Sequence, residues 1–442
     1  MDIQKLECAV NDRDVSTRMA ATAELGSLIQ SGSLGRKVTE EVNNHVHTTY
    51  SFSPYEPAAA AYAAWKAGLG IVGSIDHDSI GAAAEMLESG RNIGIATTVG
   101  FELRVSFLDT PLANRKINNP DSEGIVYLCI HGVAKQHIPA VASFLKPLQE
   151  VRNKRNKAQV EALQALVSRY GFDLDFERDV LPLSRHSEGG SVTERHILYA
   201  MADQTIRMFG KGEKLVRFLT SSLGLSLSSK LQSLLLDENN PHYAYDLLGI
   251  YKSNFLPRFF IQPGRDECMD VRKVVDFSHS IGAIAAYAYL GDIAESVTGD
   301  KKAEQFEDSF LVELMDLLVD IGFPAVTYMP PRNTVQQMLR LQSLAKERGL
   351  MEISGVDINS SRQSMNCPEL LEPAARHLVD SAWALVAHEK LSSVDAKLGL
   401  FHPQNPFAEK SLQTRLEHYA RLGRSMDCSN PYAIIEKFQE TV

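Results

Sequence analysis

Two short clusters, His45-Val46-His47 and Asp76-His77-Asp78, each fall where an apolar run gives way to polar residues. Residues at i and i+2 of an extended segment point to the same side, so the imidazoles of His45 and His47 can reach one ion. The run Ala67-Gly-Leu-Gly-Ile-Val-Gly-Ser-Ile75 reads as a helix end followed by a short buried strand that delivers His77 to the same rim. A lone histidine is more often a packed or surface residue than a ligand. A spaced pair followed by an Asp-His-Asp cluster points instead to a metal site.

Three more polar residues follow apolar runs in the same way: Glu102 after Ile95–Gly100, His131 after Ile125–Ile130 and Asp357 after Ile353–Val356. In an α/β barrel the strand C-termini converge on one face, where catalytic groups gather. His45, His47, His77, Glu102, His131 and Asp357 would then meet although they are far apart in the chain.

The elements that must position them alternate. Glu56–Gly68 reads as helix, Ile71–Ile75 as strand, Ile80–Gly90 as helix, and Ile95–Val99 and Ile125–Ile130 as strands, which argues for α/β units with parallel strands. After a mainly helical stretch the alternation resumes. Val271–Ser280 reads as helix, Ala283–Tyr289 as strand, Ala303–Ile321 as helix, Ala325–Tyr328 as strand, Thr334–Gly349 as helix and Ile353–Asp357 as strand. The expected organisation is an N-terminal helical extension over 1–40, barrel segments over 41–140 and 268–365, a helical insertion over 141–267, and a C-terminal helical extension over 366–442.

With 442 residues, 44% hydrophobic and 23% charged, the chain has an ordinary globular composition and enough length for a large core. Its net charge of −10 argues against a general nucleic-acid binder. Five widely spaced cysteines with no C-x-x-C pair fit reduced thiols in a cytoplasm. No secretory signal or membrane-spanning run is apparent. The expectation is a cytoplasmic protein with no membrane or nucleic-acid partner.

These motifs resemble the PHP family, named for polymerase and histidinol phosphatase. His45-Val-His-Thr-Thr-Tyr-Ser-Phe-Ser-Pro54 is similar to its first motif and Ser74-Ile-Asp-His-Asp-Ser79 to its second. Gly100-Phe-Glu102 is similar to the bridging glutamate, and Cys129-Ile-His-Gly132 to the strand end that follows. The resemblance covers roughly residues 41–140 and 268–365 and implies a distorted seven-stranded β/α barrel holding up to three metals. His45, His47, Glu102 and Asp357 would form one complete site, and Glu102 and His131 part of a second. Phe52 stands where the family usually has aspartate, Ala288-Tyr289-Leu290 replaces A-H-P, and Asp357-Ile-Asn359 replaces D-x-H. Phe52 cannot coordinate, and an asparagine carbonyl is a weaker ligand than imidazole. Tyr289 is a second-line ligand, as a phenolate. His77, deprived of partners, becomes a second-line ligand or a catalytic acid or hydrogen-bond donor.

Ser191 with Glu194 three residues later reads as a capping box, placing Arg195 and His196 near a helix start, where anions are favoured. By resemblance, Arg195 would grip phosphate, and His196 would face the metals as a catalytic residue or further ligand. Arg332 and Arg362 follow predicted strands and are the other substrate-binding candidates. The basic run Arg152–Lys157 reads as a solvated helix face. The expected activity is metal-dependent hydrolysis of the phosphate ester of a small molecule, using one or two divalent or trivalent ions, Mn, Fe or Zn. The alternative is a catalytically degenerate PHP domain kept as a metal-stabilised binding or regulatory module.

Overall fold

The computed structural model describes residues 2–293 and 305–441. Seven strands form one curled sheet in chain order: β1 (Val42–Val46), β2 (Ile71–His77), β3 (Ala96–Ser106), β4 (Ile125–His131), β5 (Ile284–Ala288), β6 (Ala325–Tyr328) and β7 (Met351–Ser354). The sheet bends back on itself, and the segment after β7 meets β1. His47 N donates to the Ile358 carbonyl at 3.0 Å and Ile358 N to the His45 carbonyl at 3.1 Å. Gly355 permits this approach, because a Cβ at that position would lie 2.4 Å from His45 Cβ. The result is an α/β, barrel-like architecture.

The strands are not all parallel, which corrects the sequence expectation. β4 runs antiparallel to both β3 and β5, while the remaining neighbours are parallel. An apolar run such as Ile125–Ile130 carries no mark of direction. β3 extends to Ser106, well past the expected Val99, because Phe101–Ser106 pairs with β4.

Helices pack against the sheet through a shared hydrophobic core. Val271–Ser280 forms as expected, and Pro57–Lys66, Ala83–Ile93 and Val335–Arg348 differ from expectation only at their ends. The expected Ala303–Ile321 helix is observed as Leu311–Ile321 after a short turn at Asp308–Phe310, and its first two residues lie outside the described ones. Between β4 and β5, helices including Ile138–Val167, Glu194–Phe209 and Tyr243–Phe259 gather a hydrophobic cluster of their own, built on Leu163, Ile197, Met201, Leu247 and Tyr251.

The C-terminal stretch is not peripheral. Helix His377–Ser392 is buried over most of its length, and its Ala384, Leu385, Ala387 and Leu391 pack against Ile284, Ala325 and Met351 near the beginnings of β5, β6 and β7. Glu389 Oε2 accepts the Val99 amide of β3 at 2.7 Å. Among the described residues no helix is long and apolar enough to cross a membrane.

Candidate metal centre

Alternation along β1 turns His45 and His47 to the same side, and the parallel register of β2 with β3 sets His77 beside Glu102. Three imidazoles converge on one carboxylate oxygen. Glu102 Oε2 lies 3.4 Å from His45 Nε2, 3.6 Å from His47 Nε2 and 3.3 Å from His77 Nδ1. Asp357, carried by the segment that closes on β1, brings Oδ1 to 3.2 Å from His47 Nε2. Burial acts to raise the Glu102 pKa, but the neighbouring imidazoles outweigh it and hold the carboxylate below its ordinary range. Asp357 is likewise lowered against its burial, chiefly by His47.

This donor set fits a metal ion. Nitrogen and oxygen donors of His45, His47 and Glu102 lie within 4.8 Å of one another, all buried. His47 Nε2 is buried and faces two carboxylate oxygens, Asp357 Oδ1 at 3.2 Å and Glu102 Oε2 at 3.6 Å, a grouping that a shared cation would satisfy. The supporting contacts are in place. Ser51 Oγ lies 3.2 Å from His47 Nδ1, and Asn359 Nδ2 donates to Asp357 Oδ1 at 2.7 Å. Asp76 accepts the Thr48 amide and the Thr48 and Ser51 hydroxyls, each at 2.7 Å, which fixes the loop after β1.

The cluster forms one wall of a cavity of about 270 Å³. His45, His77, Glu102 and Asp357 line it, as do Arg195 and Arg332 from the sequence candidates. Arg195 Nη1 donates to the Asn359 carbonyl at 3.4 Å, and Arg332 Nε to the Leu290 carbonyl at 3.1 Å. Leu256, Phe260 and Met329 give the cavity an apolar side.

Four candidates stand differently from expectation. His131 sits on antiparallel β4, whose C-terminal end pairs with Ile284 at the start of β5, and it feels the charges of His45 and Glu102. It is 1% exposed, both ring nitrogens lack hydrogen-bond partners among the described residues, and burial pushes its pKa down to about 3. The β4 residue that lines the cavity is Tyr127, whose ring centre lies 5.9 Å from that of His77. Tyr289 also lines the cavity, but its hydroxyl donates to Asp308 at 2.5 Å, and burial together with that carboxylate raises its pKa, opposing a phenolate. Arg362 is outside the lining, held by Asp246 at 2.6 Å. His196 caps its own helix. The capping box is Thr193 with His196, not Ser191 with Glu194, and His196 Nδ1 accepts the Thr193 amide at 3.0 Å.

Phe52 has turned away from any ligand role. It belongs to the hydrophobic cluster of the helices between β4 and β5, with ring centres 5.0 Å from His196 and 5.8 Å from both Tyr199 and Tyr245. The Arg152–Lys157 face is solvated only in part. Arg152 and Arg155 are buried and join Arg104 of β3 in a network with Asp78, Glu194 and Glu267. Sequence reasoning missed Arg104, although its i+2 spacing from Glu102 places it on the same face of β3.

No protein-family model matches the sequence, and no curated protein matches it. Among solved structures the fold is similar to a proposed metal-dependent phosphoesterase from Bifidobacterium adolescentis, with 17% identity and a TM-score of 0.49, covering 77% of this chain and 96% of that one. It is also similar to an amidohydrolase from Chromobacterium violaceum solved with bound sulfate and no metal, with 17% identity and a TM-score of 0.48 over the same shares. These likenesses concern chain path, at an identity too low to carry function across.

Proposed function

We propose that this chain is a metal-dependent hydrolase of the PHP type that cleaves the phosphate ester of a small molecule. The observation that carries the reading is the convergence of His45, His47, His77, Glu102 and Asp357, of which His45, His77, Glu102 and Asp357 line a cavity also lined by Arg195 and Arg332. A bound Mn, Fe or Zn ion would lower the pKa of a water and draw charge from phosphoryl oxygens. His45, His47, Glu102 and Asp357 would hold it. His77 has one ring nitrogen facing Glu102, which leaves the other to hydrogen-bond the ester. Arg195 and Arg332 would orient the phosphoryl group, and the apolar side formed by Leu256, Phe260 and Met329 would receive the organic part. The helices over 141–267 act in this reading as an inserted cover that selects that part.

Full-length protein is analysed for bound metal and then assayed for phosphate release from a panel of phosphate monoesters with and without Mn(II). Metal-dependent release that H45A and E102Q abolish supports the reading. Metal binding with no turnover on any ester favours the alternative of a degenerate binding module, for which the burial of Phe52 and the engagement of the Tyr289 hydroxyl by Asp308 speak.

A further inference from the structure

Helix Ile138–Val167 reaches the end of β2 and grips one residue there. Gln149 Nε2 donates to the Asp78 carbonyl at 2.7 Å, and Arg152 pairs with the Asp78 carboxylate. Asp78 has φ +47° and is the one non-glycine residue with positive φ among those described. That conformation disfavours residues with a Cβ, although Asp tolerates it better than most, and it persists where surrounding contacts impose it.

The held residue joins two members of the cluster. The preceding His77 brings Nδ1 to 3.3 Å from Glu102 Oε2, and the Asp78 amide donates to the Glu102 carbonyl at 2.7 Å. Further grips come from the same helical stretch. Ser191 Oγ donates to the His77 carbonyl at 2.5 Å, and Gln149 and Ser79 both donate to the Gly189 carbonyl, at 3.0 Å and 2.7 Å. Glu267 steadies the other flank of Arg152, with Oε1 3.4 Å from Arg152 Nε, and is itself shared with Arg104 and Arg155.

We propose that Arg152, with Gln149, is a positioning residue for the metal centre: by fixing Asp78 in its left-handed conformation it sets His77 against Glu102. The helices over 141–267 then tune the cluster as well as covering the cavity. The proposal rests on reading His45, His47 and Glu102 as a metal centre.

The test uses the full-length chain as R152M, R152K, D78N and the R152M/D78N double variant. Asparagine removes the charge at position 78 while tolerating positive φ. Hydrogen exchange over residues 74–80 is measured beside Zn(II) affinity, read by competition with a chromogenic chelator. R152M is expected to speed exchange of the Asp78 amide at least about 10-fold. It should weaken Zn(II) binding by about 10- to 100-fold, the range for losing a contact that supports a ligand. R152K should restore part of both. In the double variant the effects should fall well short of additive, because both changes remove one contact. Unchanged exchange over 74–80 in a natively folded R152M, or strict additivity, overturns the proposal. If R152M does not fold, D78N and R152K must each loosen the same peptide. Should wild-type protein take up no Zn(II), the metal-centre reading fails, while the exchange comparison still decides whether Arg152 holds this strand end.

Discussion

Replacing Phe52 is expected to loosen the helices between β4 and β5 from the sheet. The ring is 7% exposed, and its neighbours His196, Tyr199 and Tyr245 belong to those helices, whereas Phe52 itself follows β1. The loop that carries it is tied down by Asp76 through Thr48 and Ser51, so the ring is a fixed knob on the sheet side. Truncating a buried phenylalanine to alanine costs about 3–5 kcal/mol, and each lost aromatic pairing lies within about 0.5–1.5 kcal/mol of extra stabilisation. We expect F52A to destabilise by about 3–4 kcal/mol, since partial collapse of the loop offsets some of the cavity. Against a typical total of about 5–15 kcal/mol this is a large fraction. Urea unfolding followed by far-ultraviolet circular dichroism gives the magnitude, and hydrogen exchange over 195–205 and 243–256 shows whether those helices open first. F52D should be destabilised at least as much and should gain no additional metal, because the side chain enters an aromatic cluster. A loss under about 1 kcal/mol with unchanged exchange would refute the anchor. A full extra equivalent of metal in a stable F52D would show that position 52 faces the cluster.

Two further changes test the site and its surroundings. E102Q removes the charge on which three imidazoles converge, so metal content by elemental analysis and any metal-dependent turnover should fall together. Full occupancy with full turnover would show that Glu102 is not a ligand. Burial raises the Glu307 pKa from 4.5 to about 7, so the folded state holds a proton that the unfolded state releases, and stability declines as pH rises from about 4.5 to about 7. E307Q should remove that decline and be more stable than wild type at pH 8 by about 3 kcal/mol, with little gain near pH 5; denaturation midpoints that keep the wild-type slope would contradict it.

How far the sequence revealed this site depends on which contacts are local. His45, His47, His77, Glu102 and Asp357 were legible because each follows an apolar run that becomes a strand or leads from one, and the parallel pairing of β1, β2 and β3 brings such ends together. His131 also follows an apolar run, but its strand runs antiparallel to its neighbours, a direction set by its partners and not by its own composition. The same reversal puts Tyr127 at the cavity. Arg152 and Arg155 looked like a solvated face because the acids that justify burying them, Asp78, Glu194 and Glu267, are distant in the chain. His196 drew attention as a candidate ligand, but its position three residues after Thr193 gives it a capping role that short-range spacing already permits.

The buried arginines also constrain how an anion could be held. Arg104, Arg152 and Arg155 face Asp78, Glu194 and Glu267, three positive groups against three negative ones, and every arginine in the set is paired. Breaking a buried pair leaves an uncompensated charge, a cost of about 3–5 kcal/mol, so a phosphate that recruited Arg152 would strand the Asp78 carboxylate, whereas Glu194 and Glu267 are each shared by more than one arginine. The network is therefore better suited to holding the helices, Asp78 and the end of β2 in register than to binding substrate. Around the cluster itself, Glu102 and Asp357 add negative charge to the cavity wall. An ester phosphate approaching these carboxylates would be repelled unless a cation lay between them. The same two residues that make the wall hostile to an anion also supply the oxygen donors that fit a metal, so in the proposed reading phosphate binding and metal binding are coupled through Glu102 and Asp357.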